Sequence, residues 1–219
     1  LDSIAGQTYQ NLEIIVIDDG STDASSRLCD EYAGKDSRVV LVHQKNSGLG
    51  HARNTALDIM KGDFVAFVDS DDSIDPQMVE KTVNTMITDD LDCVLFEAQL
   101  INECEEVIGE RFHVFDSYKV LPMRDVMNLI ITDKIGSQVW KGVYRSPCWK
   151  NVRFPVGRLY EDIATTFKAY ANMSKPVGFL PEKLYNYRMN TQGISLSAGK
   201  NAIRVYHIFL GFYEQLTYA

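Results

Sequence analysis

Three carboxylates and a hydroxyl stand together at Asp69-Ser70-Asp71-Asp72, directly after the apolar run Phe64-Val65-Ala66-Phe67-Val68. Such a run, bounded by Gly62-Asp63 on one side and four polar residues on the other, reads as a buried strand. The acids therefore emerge where buried structure meets solvent. Hard divalent cations prefer carboxylate oxygens, and open α/β sheets bind ligands beyond the carboxyl ends of their strands. The stretch has the chemistry and the position of a metal site.

Two further acid pairs share this kind of placement. Asp18-Asp19 ends the strand-like run Leu12 to Ile17, and Glu161-Asp162 precedes Ile163, Phe167, Tyr170 and Ala171, which share one helical face. Acids in a first helical turn are explained by the helix dipole as readily as by catalysis. Arg53 follows the loop Asn46-Ser47-Gly48-Leu49-Gly50 and falls in the first turn of a helix carrying Ala52, Ala56, Leu57 and Met60. The glycines fit plain turn chemistry as well as a phosphate cradle. A cation at that helix end opposes the dipole, so an anion or a carboxylate partner must compensate for it.

The elements that position these residues alternate. Leu1 to Tyr9 reads as the tail of a helix, Val39 to Val42 as a strand, and the segment with Leu28 and Tyr32 as a short helix capped from Ser21, Thr22 or Asp23. Asp75-Pro76 opens a helix whose buried face is Val79, Val83 and Met86. This βα alternation predicts a mostly parallel sheet with right-handed crossovers. Beyond residue 90 the pattern changes. Cys93 to Phe96 is a strand, the stretch to Tyr118 reads as a hairpin or excursion, Pro122 opens a helix with Val126, Leu129 and Ile130, and Tyr185 to Arg188 is a strand. The last segment is an amphipathic helix bearing Val205, Ile208, Phe209, Phe212 and Leu216. The chain thus divides into residues 1–90, ending with the acidic turn and its following helix, residues 91–200, and the helix 201–219, within one compact domain.

At 219 residues with 45% hydrophobic and 24% charged content, the chain can bury a substantial core. No apolar run reaches the roughly 18 to 20 residues of a membrane span, and a formal charge of −8 argues against nucleic-acid binding through a basic face. Cys29, Cys93, Cys104 and Cys148 form no CxxC, which points to a reduced, cytosolic setting. Of the four histidines, only His43 and His51 could be neighbours.

Taken in order, IIVIDDGSTD, NSGLGHARNTAL, GDFVAFVDSDDSIDP and GRLYED resemble the family 2 glycosyltransferases of the GT-A fold, over residues 1 to about 195. The resemblance implies an α/β fold with a mostly parallel mixed central sheet flanked by helices. It implies inverting transfer of a sugar from a nucleotide-diphosphate donor, with UDP favoured, to a hydroxyl of a glycan or lipid-linked saccharide for a cell-surface polysaccharide. By that resemblance Asp18 and Asp19 hold the nucleobase, Asp19 more directly, and Arg53 positions the diphosphate or the turn around it. Asp69, Ser70 and Asp71 become the DxD motif: Asp69 faces the ribose or the metal, and Asp71 coordinates Mn²⁺ or Mg²⁺. Glu161 and Asp162 become the catalytic ED pair with Asp162 as base. Arg188 and the Thr191 to Ser195 loop would lie over the donor phosphates, and Trp140, Lys141 and Arg145 would line part of the acceptor side. Asp72 is left as a cap or solvated neighbour. Family members open with a strand ending near a Pro-x-Tyr-Asn turn, and this chain starts in the helix after it, so about one βα unit, on the order of 30 residues, is expected to be lacking. A cytoplasmic protein follows, with peripheral contact at the inner membrane face and oligomerisation both left open.

Two other readings compete. A metal-dependent nucleotidyltransferase shares the donor chemistry, and a degenerate sugar or nucleotide binder would lack turnover. A signalling receiver domain also places acids after strands and a lysine later, but Asp69 and Lys175 stand 106 residues apart, too far for the one or two βα units it needs.

Overall fold

The computed structural model describes residues 1–111, 113–189 and 202–218. A short helix α1 (Asp2–Ala5) leads to strand β1 (Ile14–Asp18), helix α2 (Ser25–Lys35), strand β2 (Val39–His43) and helix α3 (Leu49–Ile59). Strands β3 (Phe64–Ala66) and β4 (Ser73–Ile74) flank the DSDD turn, and helix α4 (Met78–Thr88) follows. The second half holds β5 (Cys93–Ile101), β6 (Val107–Arg111), β7 (Lys119–Leu121), α5 (Met123–Ile131), β8 (Gly142–Arg145), α6 (Thr166–Ala171), β9 (Val177–Arg188) and the helix α7 (Ala202–Tyr218).

Two sheets carry the fold. Strands β1 and β2 pair in parallel, Ile14 opposite Val39 and Asp18 opposite His43. The larger sheet has the order β3-β8-β5-β9-β4, with β6 on β5 and β7 on β9. It is mixed, as expected, but its balance differs from the expectation. Within this sheet β5 and β9 are the parallel pair, and the other described pairings are antiparallel. The reason is local: β8 and the ends of β9 return along strands already in place, whereas the βα alternation that signals parallel pairing stops near residue 90.

β5 is the spine of the core. Its successive side chains point to opposite faces, so Cys93 and Leu95 join one buried cluster with Val126, Ile130, Tyr144, Trp149 and Phe167. Val94, Phe96 and Ala98 join the other, with Met78, Val83, Met86, Trp140 and Tyr185. Helix α4 covers the second face and α5 and α6 the first. Strand β9 runs much further than the Tyr185 to Arg188 expected from the sequence. Pro181 hides it, because a proline inside an apolar run argues against a strand, and the structure absorbs it in a bulge where the β5 partner shifts from Leu180 opposite Phe96 to Lys183 opposite Glu97. Among the described residues no helix is long and apolar enough to cross a membrane.

Candidate active site

Arg53 is the centre of the site. Helix α3 carries it inward, where it is 8% exposed. Its Nη2 donates to Asp69 Oδ1 at 2.7 Å and its Nη1 to Glu161 Oε1 at 2.5 Å, residues 16 and 108 positions away. The guanidinium also lies over the Phe154 ring, 5.3 Å from its centroid. Burial works against its charge, but the two carboxylates outweigh it and hold the group more firmly protonated than usual. The compensating anions expected for a cation at this helix end are thus internal carboxylates. One belongs to the DSDD turn and the other to the acid pair before α6.

Asn54, beside it, was not singled out by the sequence. Its side chain closes a double bond with the Phe154 backbone, Nδ2 to the carbonyl and Oδ1 from the N–H, both at 2.8 Å. Gly50, one turn earlier, lies so close to the Pro155 carbonyl that a Cβ would sit 2.7 Å from it. Helix α3 is therefore docked along 154–161 by a small residue and two side chains.

The DSDD turn is held from two sides. The Asp69 N–H donates to the Tyr185 hydroxyl at 3.1 Å, and that hydroxyl donates to Asp72 Oδ2 at 2.8 Å. Asp72 Oδ1 accepts from the Arg188 N–H at 2.7 Å. Asp72 is thus neither a cap nor a solvated neighbour. It is a partly buried acceptor that ties the turn to the end of β9, and burial pushes its carboxyl up to about 7. Tyr185, absent from the sequence reading of the site, is fixed from beneath by Trp140, stacked at 4.3 Å and 16°. Replacing Tyr185 with Phe should lower stability by about 1–3 kcal/mol, because Asp72 and the Asp69 N–H both lose a partner. A urea midpoint equal to the wild type would contradict this.

Asp71 stands apart from these ties. Its residue is exposed, and no hydrogen bond or ion pair among the described residues engages its carboxylate; the Arg188 Nε at 2.9 Å goes to its backbone carbonyl. Ser70 is likewise exposed at the tip of the turn. Asp71 and the second oxygen of Asp69 are the acceptor atoms left for a cation. Among the described residues there is no group of three or more His, Cys, Asp or Glu that could hold a metal ion. Two carboxylates fit a Mg²⁺-type site in which substrate phosphates and waters complete the shell.

Asp162 follows Glu161 in a turn, and α6 starts only at Thr166. The helix expected from Ile163 begins later because Arg53 holds Glu161 and Tyr160 adopts φ 56°. Asp162 Oδ1 accepts from the Ile163 N–H at 2.9 Å. Burial, with Glu161 next to it, pushes its carboxyl up to about 7, against a smaller opposing pull from Arg53.

The remaining expected residues are turned to structural partners, and Arg145 stands opposite Phe64, at the end of β3 away from the DSDD turn. Asp18 accepts from the Ser21 N–H at 2.9 Å and meets His43 at 2.8 Å, and the Ser21 bonds hold its carboxyl well below the usual range. Asp19 accepts from Gln44 and from the Ser47 and Gly48 N–H groups at 2.7 to 2.9 Å. Burial alone would raise its carboxyl, and these bonds bring it below normal. The glycine loop before α3 is therefore closed by Asp19 itself. His43 and His51 are not a pair: His43 bridges Asp18 and Asp30, while His51 meets Gln44.

Arg188 uses its guanidinium on the Asn102 and Glu103 carbonyls and on Glu105 at 3.1 Å. The Thr191 to Ser195 loop lies outside the described residues. Trp140 and Lys141 are 4% and 3% exposed, with Lys141 donating to the Ile135 carbonyl. Arg145 donates to the Leu91 carbonyl at 2.8 Å. Their side chains belong to the packing on the two faces of the sheet.

The family model for glycosyl transferase family 2 matches residues 1–150. Glycosyltransferase GlyA of Streptococcus pneumoniae is 35% identical over 206 residues, covering 89% of this chain and 29% of that protein. Glycosyltransferase GlyG of the same organism is 33% identical over 205 residues, covering 89% and 66%. The putative glycosyltransferase EpsH of Bacillus subtilis is 32% identical over 201 residues, covering 89% and 57%. The chain thus spans between 29% and 66% of the length of these relatives. Among solved structures, S. aureus TarS 1–349 in complex with UDP-GlcNAc aligns over 100% of this chain and 62% of its own, with a TM-score of 0.80 at 23% identity. That likeness establishes the GT-A fold.

Proposed function

Since the chain belongs to glycosyl transferase family 2, we propose that it transfers a sugar from a nucleotide-diphosphate donor, a UDP-sugar, to a hydroxyl of a glycan or lipid-linked saccharide, with inversion. The observation that carries this reading is the Arg53 fork, which draws Asp69 of the DSDD turn and Glu161, neighbour of Asp162, into one site. A diphosphate-side acid and a base-side acid are what displacement at an anomeric carbon requires. GlyA and GlyG are named glycosyltransferases, and TarS has been seen with UDP-GlcNAc and with UDP. The names support glycosyl transfer, and the TarS complexes support the donor class.

In this reading the Asp162 carboxylate takes the proton of the acceptor hydroxyl as its oxygen bonds to the anomeric carbon from the face opposite the leaving group. The bond from that carbon to the diphosphate oxygen breaks, and the nucleoside diphosphate departs with the electron pair. A carboxyl near 7 is matched to the task, because it is ionised in a useful fraction and basic enough to accept the proton. Asp71 and the free oxygen of Asp69 would hold Mn²⁺ or Mg²⁺, which supplies Lewis-acid stabilisation of the charge growing on the diphosphate. Tyr185 and Arg188 keep the turn that presents Asp71 in one conformation. Asp18, Asp19 and the loop that Asp19 closes would form the floor under the nucleobase.

UDP with Mn²⁺ should raise the melting temperature of the intact protein. Saturation at about a hundred times Kd adds about 2.7 kcal/mol, or roughly 5 to 10 °C at this size. Asp71→Ala, at an exposed position, should keep the unliganded melting temperature and lose the shift. If none of UDP, GDP, dTDP and CMP shifted the wild type, donor binding would be ruled out.

A further inference from the structure

The turn that carries Glu161 and Asp162 contains a strained residue. Tyr160 lies at φ 56°, a conformation that costs a residue with a Cβ of order 1–3 kcal/mol and persists only where the surroundings impose it. The surroundings here are Arg53 of α3, which holds Glu161, and one face of α7. His207 Nδ1 accepts from the Leu159 N–H at 3.2 Å, and Glu214 Oε1 accepts from Arg158 Nη1 at 2.8 Å. Arg204 lies 5.8 Å from the centroid of the Tyr160 ring. Gln215 Nε2 donates to the Ile163 carbonyl at 2.8 Å and to Ser137 Oγ at 3.0 Å. Gly211 brings the helix so near Ile163 that a Cβ would come within 2.8 Å of its Cγ2. Positions 204, 207, 211, 214 and 215 fall on one helical stripe, and the stripe engages residues 158, 159, 160 and 163, on both sides of the acid pair.

We propose that α7 is the positioning element of the catalytic turn, and that His207 acts through the Leu159 N–H as a positioning residue for Asp162. This rests on the reading of Asp162 as the base. For Nδ1 to accept the bond, His207 must carry its ring proton on Nε2. The side-chain oxygen of Asn can stand where Nδ1 stands, and Ala offers nothing. A shift of the turn by about an ångström would move the base out of reach of the acceptor proton and can cost on the order of a hundredfold in rate, while the DSDD turn, held by Tyr185 and Arg188, stays in place.

The test uses the intact protein with whichever of UDP-glucose, UDP-galactose and UDP-GlcNAc gives the fastest UDP release. His207→Ala should lower kcat by about tenfold or more with donor KM and UDP affinity within about twofold. His207→Asn should restore most of the rate. Amide hydrogen exchange over residues 158–165 should rise in His207→Ala, return in His207→Asn, and stay unchanged over 64–72 in both. Should His207→Ala fail to fold, Glu214→Gln weakens the same strut and should give the same exchange pattern. A wild-type kcat in His207→Ala, a parallel loss of UDP affinity, or unchanged exchange over 158–165 would overturn the proposal. If the wild type released no UDP from any donor, the transferase reading would fail separately, and the exchange data alone would decide whether α7 holds the turn.

Discussion

Asp162→Asn should reduce glycosyl transfer by about 10²- to 10⁴-fold, the usual contribution of a positioned base, with nucleotide affinity unchanged. The substitution is conservative where it sits. Asn can still accept the Ile163 N–H bond that Asp162 Oδ1 makes at 2.9 Å, and Arg53 contacts Glu161 and Asp69 rather than Asp162. What disappears is the proton acceptor. The same change should stabilise the fold at neutral and alkaline pH. A carboxyl raised from 3.8 to about 7 in the folded state favours its protonated form there, so stability is highest below the unfolded value and declines as pH climbs from about 4 through about 7. Asn carries no such cost. Its melting temperature should match the wild type near pH 4 and exceed it near pH 8. Transfer that persists at the wild-type rate would place the base elsewhere.

Arg53→Ala should be the most destabilising single change at the site, costing about 3–5 kcal/mol, because it strands carboxylates whose charge was compensated in a poorly hydrated setting. Asp69 and Glu161 each lose a short bond, and the Phe154 ring loses the cation above it. Arg53→Lys should rescue little. One ammonium on a flexible stem cannot span two carboxylates as a planar fork does. A functional signature follows as well. Arg53 lowers the Asp162 carboxyl against burial and Glu161, so without it that carboxyl should titrate higher, and whatever activity survives should need a more alkaline pH. Urea denaturation gives the stability figure. A loss under about 1 kcal/mol would mean that the fork contributes little.

What the sequence made legible was the placement of chemistry at strand ends. Apolar runs followed at once by Asp18-Asp19 and Asp69 to Asp72 announce both a buried strand and an acidic turn, and the structure has β1 and β3 leading into them. The residues that hold the turns were not legible, because each acts across a long separation. Tyr185 meets Asp69 across 116 positions, His207 meets Leu159 across 48, and Arg53 meets Glu161 across 108. Arg53 came closest to giving itself away, since a cation at a helix start needs a partner, although spacing could not say that the partner was Glu161. Asp72 is inconspicuous in the sequence for a related reason. Beside Asp69 and Asp71 it reads as one more solvated acid, and only the approach of β9 makes it a partly buried acceptor. The strand Tyr185 to Arg188 was readable, but nothing local says that it passes beside Asp72, 113 and 116 positions away. The glycine loop before α3 was readable as turn or cradle, and Asp19 closing it on itself is a side-chain choice that no local pattern encodes.

The pH dependence of kcat/KM for the free enzyme tests the central claim, that Asp162 in the Arg53-bridged site is the base, most directly. The wild type should gain activity as pH rises, with a midpoint near 7 set by the half-buried Asp162 carboxyl, and the residual activity of Asp162→Asn should show no such midpoint. A wild-type profile that is flat from about pH 5 to about pH 9, or a midpoint near 7 that survives in Asp162→Asn, would contradict the account.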